Sequence, residues 1–297
     1  MTQTADLLRE AREHLLVADL GRAETVLRRV IAQDPGEGRA YEMLGKLLYR
    51  ESRSEEAASI YREWLRAVPD DPVATHLVSA TSGESHPPRA SNGFIASVFG
   101  RAAPEFDAGL AKLGYQAPRL IFEHAMSALD PTRVGLNILD LGCGTGLCAE
   151  WFRPLARRIV GVDLAPEMLE QARTRGCYDE LICEEITTYA ARCTERFDLI
   201  TAADVFCYFG DLSTGMAAIA PLLSPEGRFV FSVEELPTDT GGYVLLEHGR
   251  YAHSASYLSQ ALAQAGLVSG VPRRAVLRSE RGAPVHGLVS SARRQAV

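Results

Sequence analysis

Hydrophobic positions along this chain follow two different rhythms. Over the first eighty residues the pattern overlays on itself when shifted by 34 positions. Leu7 falls on Tyr41, Ala11 on Gly45, Ala23 on Ala57, Leu27 on Tyr61, Val30 on Trp64 and Pro35 on Pro69. Small residues at 11/45 and 23/57 predict paired antiparallel helices in close approach, with the large residues at 27, 61 and 64 filling the groove between successive pairs. Asp34-Pro35 and Pro69-Asp70 punctuate the turns. The register continues weakly through 71–80, which predicts two full repeats and one capping helix. So short an array buries little core and is expected to lean on the rest of the chain or on another copy of itself.

From Asn137 the rhythm changes to short apolar runs alternating with amphipathic stretches. Strands are predicted at Asn137–Leu141, Ile159–Asp163, Glu180–Cys183, Phe197–Ala202, Arg228–Val233, Ala275–Ser279 and Val285–Ser290. Helices are predicted at Pro166–Arg175, Leu212–Leu223 and Ser256–Ala265. This alternation implies an α/β domain with a mostly parallel sheet covered by helices on both faces. Only Glu280–Pro284 separates the last two strands, so they should form an antiparallel hairpin at one edge. Thr81–Gly93 (TSGESHPPRASNG) reads as a linker. The expected division is 1–80 helical repeats, 81–93 linker, 94–135 helical cap and 136–297 sheet domain.

The first strand runs Ile138-Leu139-Asp140-Leu141 into Gly142-Cys143-Gly144-Thr145-Gly146, and a helix follows. Alternate glycines let the backbone turn sharply and bring a ligand against the main chain. The second strand ends in Asp163, an acid placed to bind a ribose diol. Dinucleotide and S-adenosylmethionine sites share this plan. The dinucleotide fingerprint needs G-x-G-x-x-G, whereas here the spacing is G-x-G-x-G and Leu147 follows. Asp140 before the loop would repel a pyrophosphate and suits a sulfonium and an amino group.

With ILDLGCGTG at 138–146 and GVD at 161–163, the chain resembles the class I S-adenosylmethionine-dependent methyltransferases over Phe94 to Ser291. The 34-residue period is the tetratricopeptide (TPR) pattern. Together they look like the bacterial methyltransferases that carry such repeats. The resemblance implies a Rossmann-like seven-stranded sheet preceded by an all-α TPR-like region, with S-adenosylmethionine as cofactor. It implies that Asp140, Gly142, Gly144 and Gly146 line the methionine and ribose, and that Asp163 chelates the ribose hydroxyls. Met168 packs near the adenine, and Cys183-Glu184-Glu185-Ile186 is the adenine-contacting stretch. The family carries a single Asp in that stretch. Glu185 is assigned to the role, with Glu184 the alternative. Ala203, in the segment 202–205, lies beneath the methionine end, and Tyr115 closes the donor pocket.

The acceptor side should be built from the cap Phe94–Leu129, the segment Asp204–Asp211 and the long loop Glu234–Ser254. Methyl transfer mainly requires donor and acceptor to be held in line. Where the acceptor must lose a proton, His253 is the expected base, with Asp204 and Tyr208 positioned to orient or deprotonate it. Arg250 is expected to pair with an anionic acceptor or with Glu234 or Glu235.

Composition narrows the partners. The 297 residues carry a net charge of −7, which speaks against nucleic acid. No apolar run approaches the ~20 residues that span a bilayer, and the N-terminus has no apolar signal core. The six cysteines form no C-x-x-C pair and no metal spacing, so reduced thiols, no bound metal and a cytoplasmic setting are expected. The expected activity is methylation of O or N on a small-molecule or carrier-borne acceptor. Alternatives are a protein methyltransferase whose repeats hold a client, and a non-catalytic partner-binding protein with a relic domain. The repeats leave a protein partner or self-association open.

Overall fold

The structure is a computed structural model that describes residues 3–83, 86–130, 132–238 and 241–295. Glu84 and Ser85 of the expected linker, and Asp239 and Thr240 of the expected long loop, lie outside the described residues. The chain divides into two compact units, one formed by the sequence up to Pro87 together with Leu246–Arg250, the other by the remainder.

In the first unit α1 (Gln3–Leu16) pairs with α2 (Leu20–Gln33), and α3 (Gly38–Arg50) pairs with α4 (Ser54–Ala67). α5 (Pro72–Ser82) packs on α4 as the cap. The Asp19 and Asp71 side chains accept backbone N–H groups at the starts of α2 and α5. Ala11 and Ala23 are fully buried where the helices cross. A Cβ at Gly45 would lie 2.1 Å from the Tyr61 ring, so only glycine permits that contact. Tyr41 and Trp64 stack with centroids 6.3 Å apart. The segment Leu246–Arg250 completes this unit. His76 Nε2 lies 2.8 Å from the Gly249 carbonyl oxygen, and Ser54 Oγ donates to Glu247 at 2.6 Å. The Tyr49 ring meets His248 edge-on at 6.4 Å.

The second unit opens with α6 (Asn92–Ala102), α7 (Phe106–Lys112) and α8 (Ala117–Ala128). β1 (Leu136–Leu141), α9 (Leu147–Phe152), β2 (Ala156–Asp163), α10 (Pro166–Arg175) and β3 (Glu180–Cys183) follow. Next come α11 (Ile186–Arg192), β4 (Phe197–Ala202), α12 (Ser213–Ile219) and β5 (Leu223–Glu235). The chain ends through β6 (Tyr243–Leu245), β7 (Tyr251–His253), α13 (Ala255–Gln264), β8 (Leu267–Ser269), β9 (Arg273–Glu280) and β10 (Ala283–Arg294). The sheet order is β3-β2-β1-β4-β5-β10-β8, parallel from β3 to β5 and antiparallel at β10. Successive residues feed opposite faces, as a period of two requires. Leu139, Val160 and Ile200 pack with α11, α12 and α13, while Ile138, Ile159 and Leu199 pack with α8 and α9.

The expected strands are all present, and β6, β7 and β8 join them. The last two strands do form an antiparallel hairpin, but β10 is not an edge. Its twelve residues serve three neighbours: the first half pairs β9, the second half β5, and its end β8. The expected loop Glu234–Ser254 is not one loop either. β6 and β7 form a short hairpin within it, and β7 pairs in parallel with the end of β5. Thr81 and Ser82 of the expected linker finish α5. Farther along that linker, Pro88 O accepts from the Gly210 and Asp211 amides, and Ala90 N donates to Tyr208 O. Among the described residues no helix is long and apolar enough to cross a membrane.

Candidate active site

Gly142, Gly144 and Gly146 all adopt positive φ, at +61°, +54° and +95°, as a loop folded sharply off the end of β1 requires. A Cβ at Gly142 would lie 2.4 Å from a Val205 methyl, so this loop is packed against the segment that leaves β4. Two buried carboxylates flank it. Asp140 accepts from Tyr178 OH and from Thr201 Oγ1, each at 2.7 Å. Burial pushes its pKa up to about 6; the two hydroxyls pull it down and Asp163 pushes it up. Asp163 accepts from the Gly144 and Ala165 amides at 2.8 and 2.9 Å. Burial raises its pKa against those backbone bonds.

The cap forms a roof over this loop. Thr145 Oγ1 donates to Asp107 of α7 at 2.6 Å, and the Arg175 guanidinium binds both Asp107 and the Thr145 carbonyl. Phe106 lies 4.0 Å from where a Gly144 Cβ would stand. Phe99 meets Phe106 and Tyr208 edge-on at 5.9 and 5.4 Å. Met168 is fully buried with Ala103 and Ala165 beneath Phe99 and Phe106. Glu185 caps α11 through the Thr187 and Thr188 amides and faces Arg89 at 3.4 Å. Burial would raise its pKa, and the Thr187 and Thr188 bonds with the Arg89 charge outweigh that and hold it low. Glu184 turns away to Arg192. Ile186 is buried in the sheet core.

Beyond β4 a wall of paired charge follows. Asp204 sits at φ +53°, a position unusual for a residue other than glycine. Its backbone N–H donates to Ser232 Oγ, its carboxylate accepts from that hydroxyl at 2.9 Å, and its other oxygen accepts from Arg278 at 2.8 Å. Arg278, 4% exposed, also binds Glu234 and Glu280. Burial would lower its pKa, and the charges of Asp204, Glu234 and Glu280 together raise it, so the guanidinium stays protonated. Tyr115 lies nearby: burial raises its hydroxyl's pKa well above the ordinary value, and the Asp204 charge adds to that. Ala203 packs with Tyr115 on the α8–α9 face of the sheet.

The methyltransferase domain family matches residues 139–231, and the tetratricopeptide repeat family matches residues 8–72. Ubiquinone biosynthesis O-methyltransferase of Xanthomonas oryzae pv. oryzae is 30% identical over 121 residues, covering 36% of this chain and 51% of that protein. The chain thus spans about half the length of that relative. Malonyl-[acyl-carrier protein] O-methyltransferase of Erwinia billingiae is 30% identical over 207 residues, covering 63% of this chain and 78% of that protein. The chain belongs to the S-adenosylmethionine-dependent methyltransferases. It joins that domain to an N-terminal TPR region. The fold is shared with the Burkholderia thailandensis 1,6-didemethyltoxoflavin-N1-methyltransferase, solved with S-adenosylhomocysteine. That match has a TM-score of 0.54 at 22% identity, over 72% of this chain and 94% of that one.

In this methyltransferase the glycine loop, Asp140 and Asp163 come together with the roof of the cap. His253 does not join them. It is fully buried, its Nε2 donates to the Phe209 and Gly210 carbonyls at 2.8 and 3.2 Å, and its Nδ1 has no hydrogen-bond partner. Burial drives its pKa down to about 4, against the pull of those carbonyls and of Glu234. An imidazole sealed from solvent and already bonded to main chain has a positioning geometry, not that of a proton carrier. Glu234 and Glu235, the partners considered for Arg250, pair with Arg278 and Arg274. Sequence reasoning placed Asp107, with Phe106, in the cap that builds the site, and missed Arg278, Arg175 and Tyr178.

Proposed function

We propose that the protein transfers a methyl group from S-adenosylmethionine to oxygen or nitrogen of a small-molecule or carrier-borne acceptor. The observation that carries this reading is the glycine loop held between two buried carboxylates. The residues fit the donor: three positive-φ glycines fold the loop sharply, and at Gly144, where a Cβ would meet Phe106 no nearer than 4.0 Å, a ligand can approach the main chain. Among the described residues Asp140 is held by two neutral hydroxyls, those of Tyr178 and Thr201, so a cationic ligand end gains from its charge. Asp163 presents a buried carboxylate at the tip of β2, suited to ribose hydroxyls. Glu185 and Met168 are assigned to the adenine side, Tyr115 to closing the donor pocket, and Asp204 and Tyr208 to the acceptor side.

Bound S-adenosylmethionine supplies an electrophilic methyl carbon on a sulfonium. The chain's own contribution is orientation. Phe99, Phe106 and Tyr208 pack together beside the loop, and Asp204, fixed by Ser232 and Arg278, is the candidate to hold an acceptor proton. The two O-methyltransferase relatives, one of them named for malonyl-[acyl-carrier protein], favour an oxygen acceptor that is small or carrier-borne. Titration calorimetry with S-adenosylhomocysteine and with NAD tests the donor half. Saturable binding of the first and none of the second is expected. NAD binding without any response to S-adenosylhomocysteine would overturn the reading.

A further inference from the structure

The turn that leaves α10 sits behind the glycine loop and grips it at two points. Arg175 lays its stem against Gly146, where an added Cβ would come within 3.0 Å of the Arg175 Cδ. Its guanidinium donates to the Thr145 carbonyl inside the loop and reaches Asp107 on the cap and Glu150 on α9. One side chain therefore ties loop, roof and following helix together, and it does so at 17% exposure, where a charge-assisted bond is worth more than at an open surface. Three residues on, Tyr178 packs at 2.9 Å from the same Gly146 position and donates its hydroxyl to Asp140. Between them Gly176 takes a left-handed conformation, which reverses the chain so that both side chains point back at the loop.

We infer that Arg175 and Tyr178 are positioning residues for the methyl donor, Arg175 setting the backbone of the loop through Thr145 and Tyr178 setting the carboxylate of Asp140. This rests on the donor reading above. It extends it to a turn that touches no reacting atom and acts through the residues that do.

The Tyr178 half has a signature that a packing role lacks. The titratable groups around Asp140 are Tyr178, Asp163, Cys143 and Cys148, with the Thr201 hydroxyl as the other bond. Tyr178 donates to the charged form of Asp140 and so holds its pKa down. Binding of a ligand with an ammonium group should weaken as pH falls and Asp140 takes a proton. Removing the hydroxyl should move that midpoint upward.

The experiment is calorimetry with S-adenosylhomocysteine on the full chain from pH 5 to 8, with melting curves at each pH. Tyr178→Phe should raise the pH midpoint of affinity by about one unit, from one lost hydrogen bond. Arg175→Met should weaken binding about tenfold at every pH, and Arg175→Lys should recover part of it. Glu150→Gln, which removes an Arg175 partner outside the loop, should leave affinity within about twofold. If Tyr178→Phe keeps the wild-type midpoint, or if Arg175→Met binds as the wild type does, the inference falls. If either variant loses affinity only in proportion to lost folded protein, the turn is packing and the inference also falls. Wild-type protein that ignores S-adenosylhomocysteine would overturn the donor reading itself, a separate outcome.

Discussion

On the glycine-loop wall, Asp140 is held by two hydroxyls and Asp163 by two backbone amides. On the wall after β4, Asp204, Glu234 and Glu280 are held by one guanidinium. Both walls bury carboxylates, yet the first keeps its negative charge available while the second compensates part of it internally. Neutral donors orient a carboxylate without cancelling its charge, so the first wall can still gain from a cationic ligand. The second gains rigidity, because a buried ion pair holds its geometry only while every member is present.

Four measurements test this contrast. Arg278→Met would remove the buried cation that Asp204, Glu234 and Glu280 share and should cost about 3–5 kcal/mol of stability, read from denaturant unfolding. An unchanged midpoint would mean that the second wall is not held by charge. Asp163→Ala should cost roughly 3 kcal/mol of S-adenosylhomocysteine affinity in calorimetry, from lost charged hydrogen bonds, with the domain still folded. Equal loss of affinity and of folded protein would place Asp163 with the structural carboxylates instead.

His253 should make stability depend on acid. Its pKa is about 4 when folded, against 6.5 as the ordinary value, so the unfolded chain binds the extra proton between those limits. Stability from this group is complete above pH 6.5 and is lost as pH falls toward 4. From pH 7 to 5 the loss should be about 2 kcal/mol, and His253→Gln, which keeps a donor to the carbonyls, should show a flatter dependence. The same slope in both proteins would assign the acid sensitivity elsewhere. Smallest of all, Glu184→Gln should change donor affinity by less than about 0.5 kcal/mol, because Glu184 pairs outward with Arg192. A larger loss would move the adenine contact from Glu185 to Glu184.

The first wall was legible in the sequence because its signals are local. Alternate glycines after an apolar strand and an acid at the next strand tip need no knowledge of what packs nearby. The second wall was not. Arg278 meets Asp204 across 74 positions, and a lone arginine in a strand carries no pattern that names its partner. Arg175 and Tyr178 were hidden for the same reason, at 30 and 38 positions from the groups they hold. His253 misled because polar and aromatic neighbours make GRYAHS look like a binding loop. The strand inside it, Tyr251–His253, and its partner Tyr243–Leu245 are each three residues long, too short for alternation to declare itself. The repeats were read well because each crossing residue has a counterpart 34 positions away to check it against.

Leu246–Arg250 belongs with the helices of the first unit, although nearly 160 residues of the second unit intervene in sequence. The chain therefore passes between its units after Pro87, after Leu245 and after Arg250. Two modules joined once can be shuffled, duplicated or lost as cassettes. These two are joined three times, so a cut at Pro87 also breaks the His76–Gly249 and Ser54–Glu247 bonds. Loss of the first unit's helices would thus also uncover the segment that joins β6 to β7.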